Sequence, residues 1–445
     1  MIYICFIIIL YILLIIYHIN KSRISTLVFK KKKLAIIGCG ISGLGCAWTL
    51  RNSLDLYDIY IYDKESNYGG VISTEFYNNV ATNIGIFQLK RSEYNNLFAI
   101  IDYYKLKTTS YMMGVHYDLG NGDIWNTSNI NSSSKELLDN YNKFMNIISG
   151  TQYDNQPIEY VLYKYNFPEK FIYLINLLCL SSLYSIKFSI IYFKVLIKFT
   201  PFTYNTSWEL PENGTIAYVD KMLDTIGRNN VYLNNSVVGV EKCNNYNNVW
   251  IEAEGKKYKK KFDCVVFTTN HGITRKILKN QSNFEKEYFG RFMYSTYDEY
   301  VHNDVRYSND YKACINYNHE TGIRTIVQNW EKKIPCFSTV FTKNSTIDIN
   351  GDYKKKSWSH KIWTQEIEEN KPLLDNIQGT NGIFYCGNDM IADNWHEMCL
   401  LSGMYIGCLL GAKYPFKDNK DALMRYNSYC KEIKTAKPSF GGVFM

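Results

Sequence analysis

Hydrophobic positions are spread unevenly along this chain, and the first stretch is the extreme: residues 2–17, IYICFIIILYILLIIY, are apolar without a break. A helix rising about 1.5 Å per residue spans about 24 Å over that run, and His18 to Asn20 extend it to about the thickness of a hydrocarbon core. Its basic neighbours, Lys21, Arg23 and Lys30 to Lys33, all follow the run. A cleaved signal carries its positive charge before the apolar segment, so the pattern predicts an uncleaved transmembrane helix over residues 1–20 and a basic linker over 21–33. By the positive-inside rule the body then lies on the cytoplasmic side of a single-pass membrane protein. A removed signal sequence and a buried core helix are the alternatives.

Beyond Lys33 the pattern becomes short apolar strands, glycine turns and helices. Leu34 to Ile37 reads as a buried strand, Gly38 to Gly43 as a turn opening a helix that runs to Leu50, and Leu56 to Tyr62 as a second strand ending at Asp63. In residues 157–200 two apolar runs, Phe171 to Ile186 and Ile190 to Ile197, are edged by Lys187, Lys194 and Lys198. Each is short for a membrane span, so a buried helical cap is expected, with a membrane hairpin or helices resting on the bilayer surface as alternatives. Residues 291–342 alternate β-branched and aromatic residues with polar ones, as in Thr325 to Trp330, and predict a second sheet. Ile383 to Cys386 reads as a buried strand, Gly387 as its turn and Met398 to Leu410 as a helix, ahead of a polar tail over 413–445.

Composition narrows the partners. The 445 residues are 46% hydrophobic with only 8 Pro, which excludes a disordered or collagen-like chain. The net charge of +8 would suggest an acidic partner, but six positive charges and no acid lie within residues 1–33, which leaves 44 basic against 42 acidic side chains elsewhere. A nucleic-acid footprint on the body is therefore not expected. The 12 Cys are scattered without C-x-x-C or zinc-type spacing and read as free thiols of a reducing compartment, so no metal site is expected. The sequons, such as those at Asn126 and Asn205, are what an Asn-rich chain produces by chance. No H-E-x-x-H, G-x-S-x-G or Walker A loop occurs.

The glycines carry the clearest chemistry. Gly38 permits a tight turn, Gly40 lets backbone approach a pyrophosphate, and Gly43 lets the helix pack on the strand. The first helical amides, from Ile41 and Ser42 onward, face the phosphates. Asp63 stands twenty residues beyond Gly43, where a ribose-binding acid belongs. A second glycine pair, Gly69-Gly70, would bring another backbone segment to the same phosphates. Strand, turn, helix and acid together predict a dinucleotide site.

At this point the sequence resembles the FAD-containing amine oxidase and carotenoid desaturase superfamily, with GxGxxGxxxA ending at Ala47, an acid, then GG with the nearby Thr74. Val71 replaces the usual Arg after the pair. Val80 to Phe87 is similar to the family's "VDTGF" segment with Asn83 for its Asp, and Trp208 to Val219 to its "W…GGS..YV" stretch. Val237 to Val240 resembles the strand that meets the adenine, Phe262 to Thr269 the strand that re-enters the FAD domain, and Gly382 to Asn388 with Trp395-His396-Glu397 and Ser402-Gly403 the closing flavin motif. Within the superfamily the chain resembles the branch of FAD-dependent oxidoreductases associated with cyclopropane fatty acid synthases, whose "GFHEDG" is similar to Trp395 to Met398 and whose "Y…LH.D" is similar to the run holding Tyr294, His302 and Asp304. The second acid of "GFHEDG" is absent here.

The resemblance implies an α/β architecture: a discontinuous Rossmann-like FAD-binding domain (34–110, 206–275, 351–412) with an inserted α+β substrate domain (111–205, 276–350). It implies FAD contacts from Gly38, Gly40, Ile41, Ser42, Gly43, Asp63, Lys64, Gly69, Gly70, Val237, Thr268, Gly387, Asn388, Glu397 and Met398. His396 and Trp395 are the only candidates for contact with the reacting atoms, while polar packing is the default for His302 with Asp304. The function implied is hydride transfer to flavin from an apolar, lipid or fatty-acyl, small molecule. Amine oxidation and a noncatalytic membrane-bound flavoprotein-like module are the alternatives.

Overall fold

The computed structural model describes residues 31–433, apart from 53–55, 78–79, 87–88, 182–186, 198–206, 308–313, 329–335, 342–345 and 391–395. The anchor expected over residues 1–20, Trp395 and the end of the tail lie outside the described residues. Among those described, no helix is long and apolar enough to cross a membrane.

Strand Lys32–Ile37 exposes its two lysines and buries Leu34 to Ile37, because it becomes central in a five-stranded parallel sheet. Its neighbours are Tyr57–Tyr62 on one side and Cys264–Phe267 on the other, with Val231–Tyr232 and Ile383–Tyr385 at the two edges. Ile37 is in register with both Tyr62 and Phe267, and Phe267 with Tyr385. The residues that leave those strands, Gly38, Asp63, Thr268 and Cys386-Gly387, therefore stand abreast at the carboxyl edge, where open parallel sheets bind ligands. Helices Ile41–Arg51 and His396–Leu409 pack together on this sheet; the first buries every residue from Ile41 to Leu50.

A three-stranded antiparallel meander, Ser236–Lys242, Asn247–Ala253 and Lys256–Phe262, precedes the return strand Cys264–Phe267. The second sheet has seven strands, ordered Tyr353–Ile362, Met293–His302, Cys336–Phe341, Ile323–Gln328, Cys314–Asn318, Gly114–Asp118 and Ile124–Asn126. The alternation over 291–342 supplies four of them. Strand Tyr353–Ile362, which the sequence reading assigned to the third FAD-binding stretch, belongs instead to this sheet, pairing along its length with Met293–His302.

Helices Glu169–Ser181 and Ile190–Leu196 bury Phe171, Leu174, Ile175, Leu178 and Phe193, and Phe144 meets Phe167, Phe171 and Phe193 ring to ring. That is the interior packing expected of a cap. These side chains and the parallel sheet belong to one continuous hydrophobic cluster.

Candidate cofactor-binding site

Gly38 turns the chain at φ +111°, and a Cβ there would meet the Thr268 hydroxyl at 2.4 Å. That hydroxyl donates to the Ile37 carbonyl at 2.9 Å, so Thr268 fastens the turn from the neighbouring strand. A Cβ on Gly43 would stand 2.2 Å from the Gly38 carbonyl oxygen, which fixes the helix against the turn. Gly40 is the N-cap of helix Ile41–Arg51, no side chain caps it and its first turn holds no acid, so its leading amides are free to meet an anion. The second glycine pair comes to the same place. Gly69 donates to the Cys39 carbonyl at 2.9 Å, and a Cβ on Gly70 would be 3.0 Å from the Gly40 Cα. A pyrophosphate between two backbone segments needs glycines at these points, and the geometry fits one.

Asp63 accepts from the Cys39 amide at 2.7 Å and the Glu65 amide at 2.9 Å; burial raises its pKa against those two bonds. The Asp63 carbonyl takes the Asn235 amide at 2.8 Å, which leads the chain into the meander strand bearing the buried Val237. Lys64 does not join this cluster. Its ammonium is solvated, 3.1 Å from Glu65.

At the other end of the edge, Gly387 (φ +120°) donates to the Ser402 hydroxyl at 2.9 Å and packs against Thr268 and Ser42. Beside it lies a cluster that the sequence reading did not assemble. Lys361, fully buried, donates to the Asn388 carbonyl at 2.6 Å, lies 4.3 Å from the centre of the Trp363 ring and approaches Asp389 Oδ1 to 3.8 Å. Asp389 Oδ2 accepts from the His271 amide at 2.7 Å and from the Tyr294 hydroxyl. Burial works to raise the Asp389 pKa, but His271, Lys361 and Tyr294 outweigh it and hold the carboxyl below its ordinary value. The His271 ring sits among Tyr288, Phe289 and Phe292, where burial depresses its pKa to about 4. Tyr294 is opposite Lys361 in the strand pairing, and Asp389 lies four residues past the parallel strand Ile383–Tyr385. Only one signal marks Lys361 in the sequence: a single charge between His360 and Ile362-Trp363 at the apolar end of a strand.

The expected closing motif divides. His396 Nε2 is 2.8 Å from the Tyr218 hydroxyl, and burial takes its pKa down to about 3, so it is neutral and fixed in packing. The two oxygens of Glu397 accept from the Asn96 and Leu97 amides at 2.7 and 2.9 Å. That carboxylate starts helix Asn95–Tyr103, which has no side-chain cap of its own, in place of the flavin contact that the resemblance implies. Burial pushes its pKa up to about 6 against those amides. The Met398 sulfur takes Arg425 Nη2 at 3.3 Å. Trp395 lies outside the described residues.

Asn83, standing for the family's Asp, accepts at Oδ1 from the Thr215 amide at 2.8 Å and from the Thr74 hydroxyl at 3.1 Å, at the start of helix Ile216–Ile226. An amide oxygen serves there as well as a carboxylate, since Asn and Asp are comparable helix caps. His302 bonds Thr339 at 2.9 Å, and Asp304 is ion-paired with Arg306 at 2.7 Å, the polar packing expected of them. Among the described residues no group of His, Cys, Asp and Glu is arranged to hold a metal.

The NAD(P)-binding Rossmann-like domain family matches residues 36–104. Solved structures similar over most of the chain include a fatty acid isomerase from P. acnes that produces CLA, with 15% identity, 84% of this chain and 98% of that chain covered, and a TM-score of 0.63. A putrescine oxidase bound to putrescine shares 12% identity over 86% of this chain and 99% of its own, with a TM-score of 0.64. Cyclohexylamine oxidase from Brevibacterium oxydans shares 12% over 90% of this chain and 99% of its own, with a TM-score of 0.63. No curated protein matches by sequence.

Proposed function

We propose that the chain is an FAD-dependent oxidoreductase of the amine oxidase and desaturase superfamily, anchored to a membrane and acting on a lipid or fatty-acyl substrate; the match of its Rossmann-like segment and its likeness in fold to the fatty acid isomerase and the putrescine oxidase support the reading. The amides of Ile41, Ser42 and Gly43 and the two glycine pairs would hold the pyrophosphate, Asp63 the ribose and Val237 the adenine side. FAD supplies the hydride acceptor. Asn388 and Gly387 would border its ring system, with Lys361 holding a fixed positive charge behind the Asn388 carbonyl. The helical cap, apolar within, would exclude water from a bound acyl chain. The apolar run at residues 2–17 and the basic residues behind it support an anchor with the body on the cytoplasmic side.

One observation carries the preference for lipid over amine. A protonated amine would meet repulsion at the acid beside Asn388: Asp389 Oδ2 is taken by Tyr294 and the His271 amide, and Oδ1 already faces the buried Lys361 ammonium at 3.8 Å, so a second cation would stand against the first. Likeness to the putrescine and cyclohexylamine oxidases keeps amine oxidation as the second reading.

The test uses full-length protein in detergent. Flavin bands at unit stoichiometry are expected, bleached anaerobically by an unsaturated fatty acid and unaffected by alkylamines or diamines. Bleaching by amines alone reverses the substrate, and a colourless folded protein that cannot be reconstituted favours the noncatalytic module. At Gly40 a Cβ meets nothing nearer than 3.9 Å, so a side chain there points into the cradle, and Gly40→Val should abolish the colour while circular dichroism shows the fold retained.

A further inference from the structure

The body of the protein is nearly neutral, yet strand Lys256–Phe262, KKYKKKF, places five lysines in seven residues. It forms the edge of the meander. Lys260 turns inward and lies 5.4 to 5.9 Å from the rings of Tyr60, Tyr62 and Tyr232. Lys257, Lys259 and Lys261 alternate with it and are exposed on the outer face. The middle one stands opposite half-buried Trp250, 5.8 Å from its ring, and Trp250 borders a shallow hollow with Val238, Gly239 and Lys279. Two acids share this face: Glu252, 3.4 Å from Lys257, and Glu241, bonded to Asn248. Lysines on an edge strand deter pairing with another chain, but one or two suffice for that. A tryptophan ringed by lysines is the composition of a membrane interface.

The location decides what the face meets. Asp263, directly after this strand, donates its amide to the Lys33 carbonyl at 2.9 Å and accepts the Lys33 amide on its carboxylate at 2.6 Å. Exposed Lys31, Lys32 and Lys33 thus adjoin the basic strand, and the thirty residues that precede Lys31, with their apolar run, join the body at this point. We propose that the outer face of the meander, continuous with Lys31 to Lys33, docks on the anionic headgroups of the bilayer that holds the anchor. The proposal rests on the anchored reading above. It sets the side of the parallel sheet that carries the meander against the membrane, with Lys31 to Lys33 and the amino edge adjoining at the Phe262 end of the strand. Each basic residue held near an anionic surface strengthens binding about fivefold, and the contribution is screened by salt.

Full-length protein is placed in nanodiscs of phosphatidylcholine with and without phosphatidylserine, and amide exchange is followed over residues 250–261. The exposed edge strand should exchange several-fold more slowly in the anionic discs, an effect removed by raised salt. Lys257→Glu/Lys259→Glu/Lys261→Glu should lose the protection, and the matching triple Arg variant should keep it. Equal exchange in both discs, protection that survives charge reversal, or protection by RNA but not by phosphatidylserine overturns the proposal. Alkaline carbonate extraction tests the anchor separately. A protein that is extracted yet protected on anionic vesicles keeps the docking face and loses the anchor; one that resists extraction without protection keeps the anchor and loses the face.

Discussion

Helices Ile41–Arg51 and His396–Leu409 meet through glycine, and Gly403→Ala measures what that closeness does for the cofactor site. A Cβ at residue 403 would stand 2.0 Å from the Ser42 carbonyl oxygen, 2.8 Å from its carbon and 2.9 Å from the Cys46 nitrogen. All three are backbone atoms, so no rotamer change relieves the clash. Ordinary contact distance requires the helices to part by about 1 Å or more, and overpacking of this kind costs about 1–3 kcal/mol. The upper end applies because the obstacle is backbone; replacing a mid-helix glycine returns about 1 kcal/mol of helix propensity. The net expectation is a loss of about 2 kcal/mol. The contact continues one turn on, where a Cβ on Gly407 would be 3.1 Å from the Cys46 carbonyl oxygen, so the helices cannot simply tilt away.

The displacement is felt at the site. Ser42 lies in the first turn after the phosphate loop, and Ser402, adjacent to the substituted residue, holds the Gly387 amide. Parting the helices separates the two glycine turns, and flavin affinity should fall at least tenfold, about 1.4 kcal/mol. Urea unfolding followed by circular dichroism, with flavin retention measured on the same samples, reads both effects. Gly290→Ala is the control: it has no positive φ and open space around it, and should stay within about 0.5 kcal/mol of the parent. A Gly403→Ala protein as stable and as yellow as the parent would refute backbone contact between these helices.

Other outcomes follow from the buried charges. Lys361→Met leaves Asp389 buried without its cation and should cost about 3–5 kcal/mol, most of it recovered in Lys361→Met/Asp389→Asn; a single variant as stable as the parent in thermal unfolding disproves the pairing. His271 and His396 have folded pKa values of about 4 and about 3, below that of an unfolded histidine. The unfolded chain therefore binds more protons as pH falls below about 6.5, and stability complete above that pH should drop by on the order of 3 kcal/mol per histidine by pH 3–4, which urea midpoints across the range will show. Glu397 acts in the opposite sense: with a folded pKa of about 6 it stabilises most below about 4.5, and that contribution is lost as pH rises to 6. Glu397→Gln removes this opposition, steepening the rise of stability between pH 4.5 and 6, and costs about 1–3 kcal/mol at pH 7 because its amide group cannot accept the second backbone N–H. An unchanged pH profile would argue against the buried site of Glu397.

What the sequence makes legible is what it encodes locally. Gly38, Gly40, Gly43 and Asp63 stand within one strand–helix–strand unit, and each residue type is demanded by a nearby backbone conformation or close approach, so spacing alone reveals their arrangement. Gly69 and Gly70 are legible for the same reason, since only a glycine lets Gly70 stand 3.0 Å, by its would-be Cβ, from Gly40. The residues behind Asn388 lack that property. Lys361, Tyr294, His271 and Asp389 come from four separate segments, joined by the pairing of Tyr294 with Lys361 and by the return of two strands to one parallel sheet. Within KKKSWSHKI only the apolar neighbours of Lys361 hint that it is fully buried while Lys354 and Lys355 are exposed. Glu397 shows the same limit from the other side: the closing motif implies a flavin contact, yet its partners lie some 300 residues earlier, at the Asn96 and Leu97 amides. The phosphate cradle is thus specified by backbone geometry that residue type and spacing reveal, whereas the charge behind the Asn388 carbonyl depends on side chains from separate strands whose meeting leaves no motif.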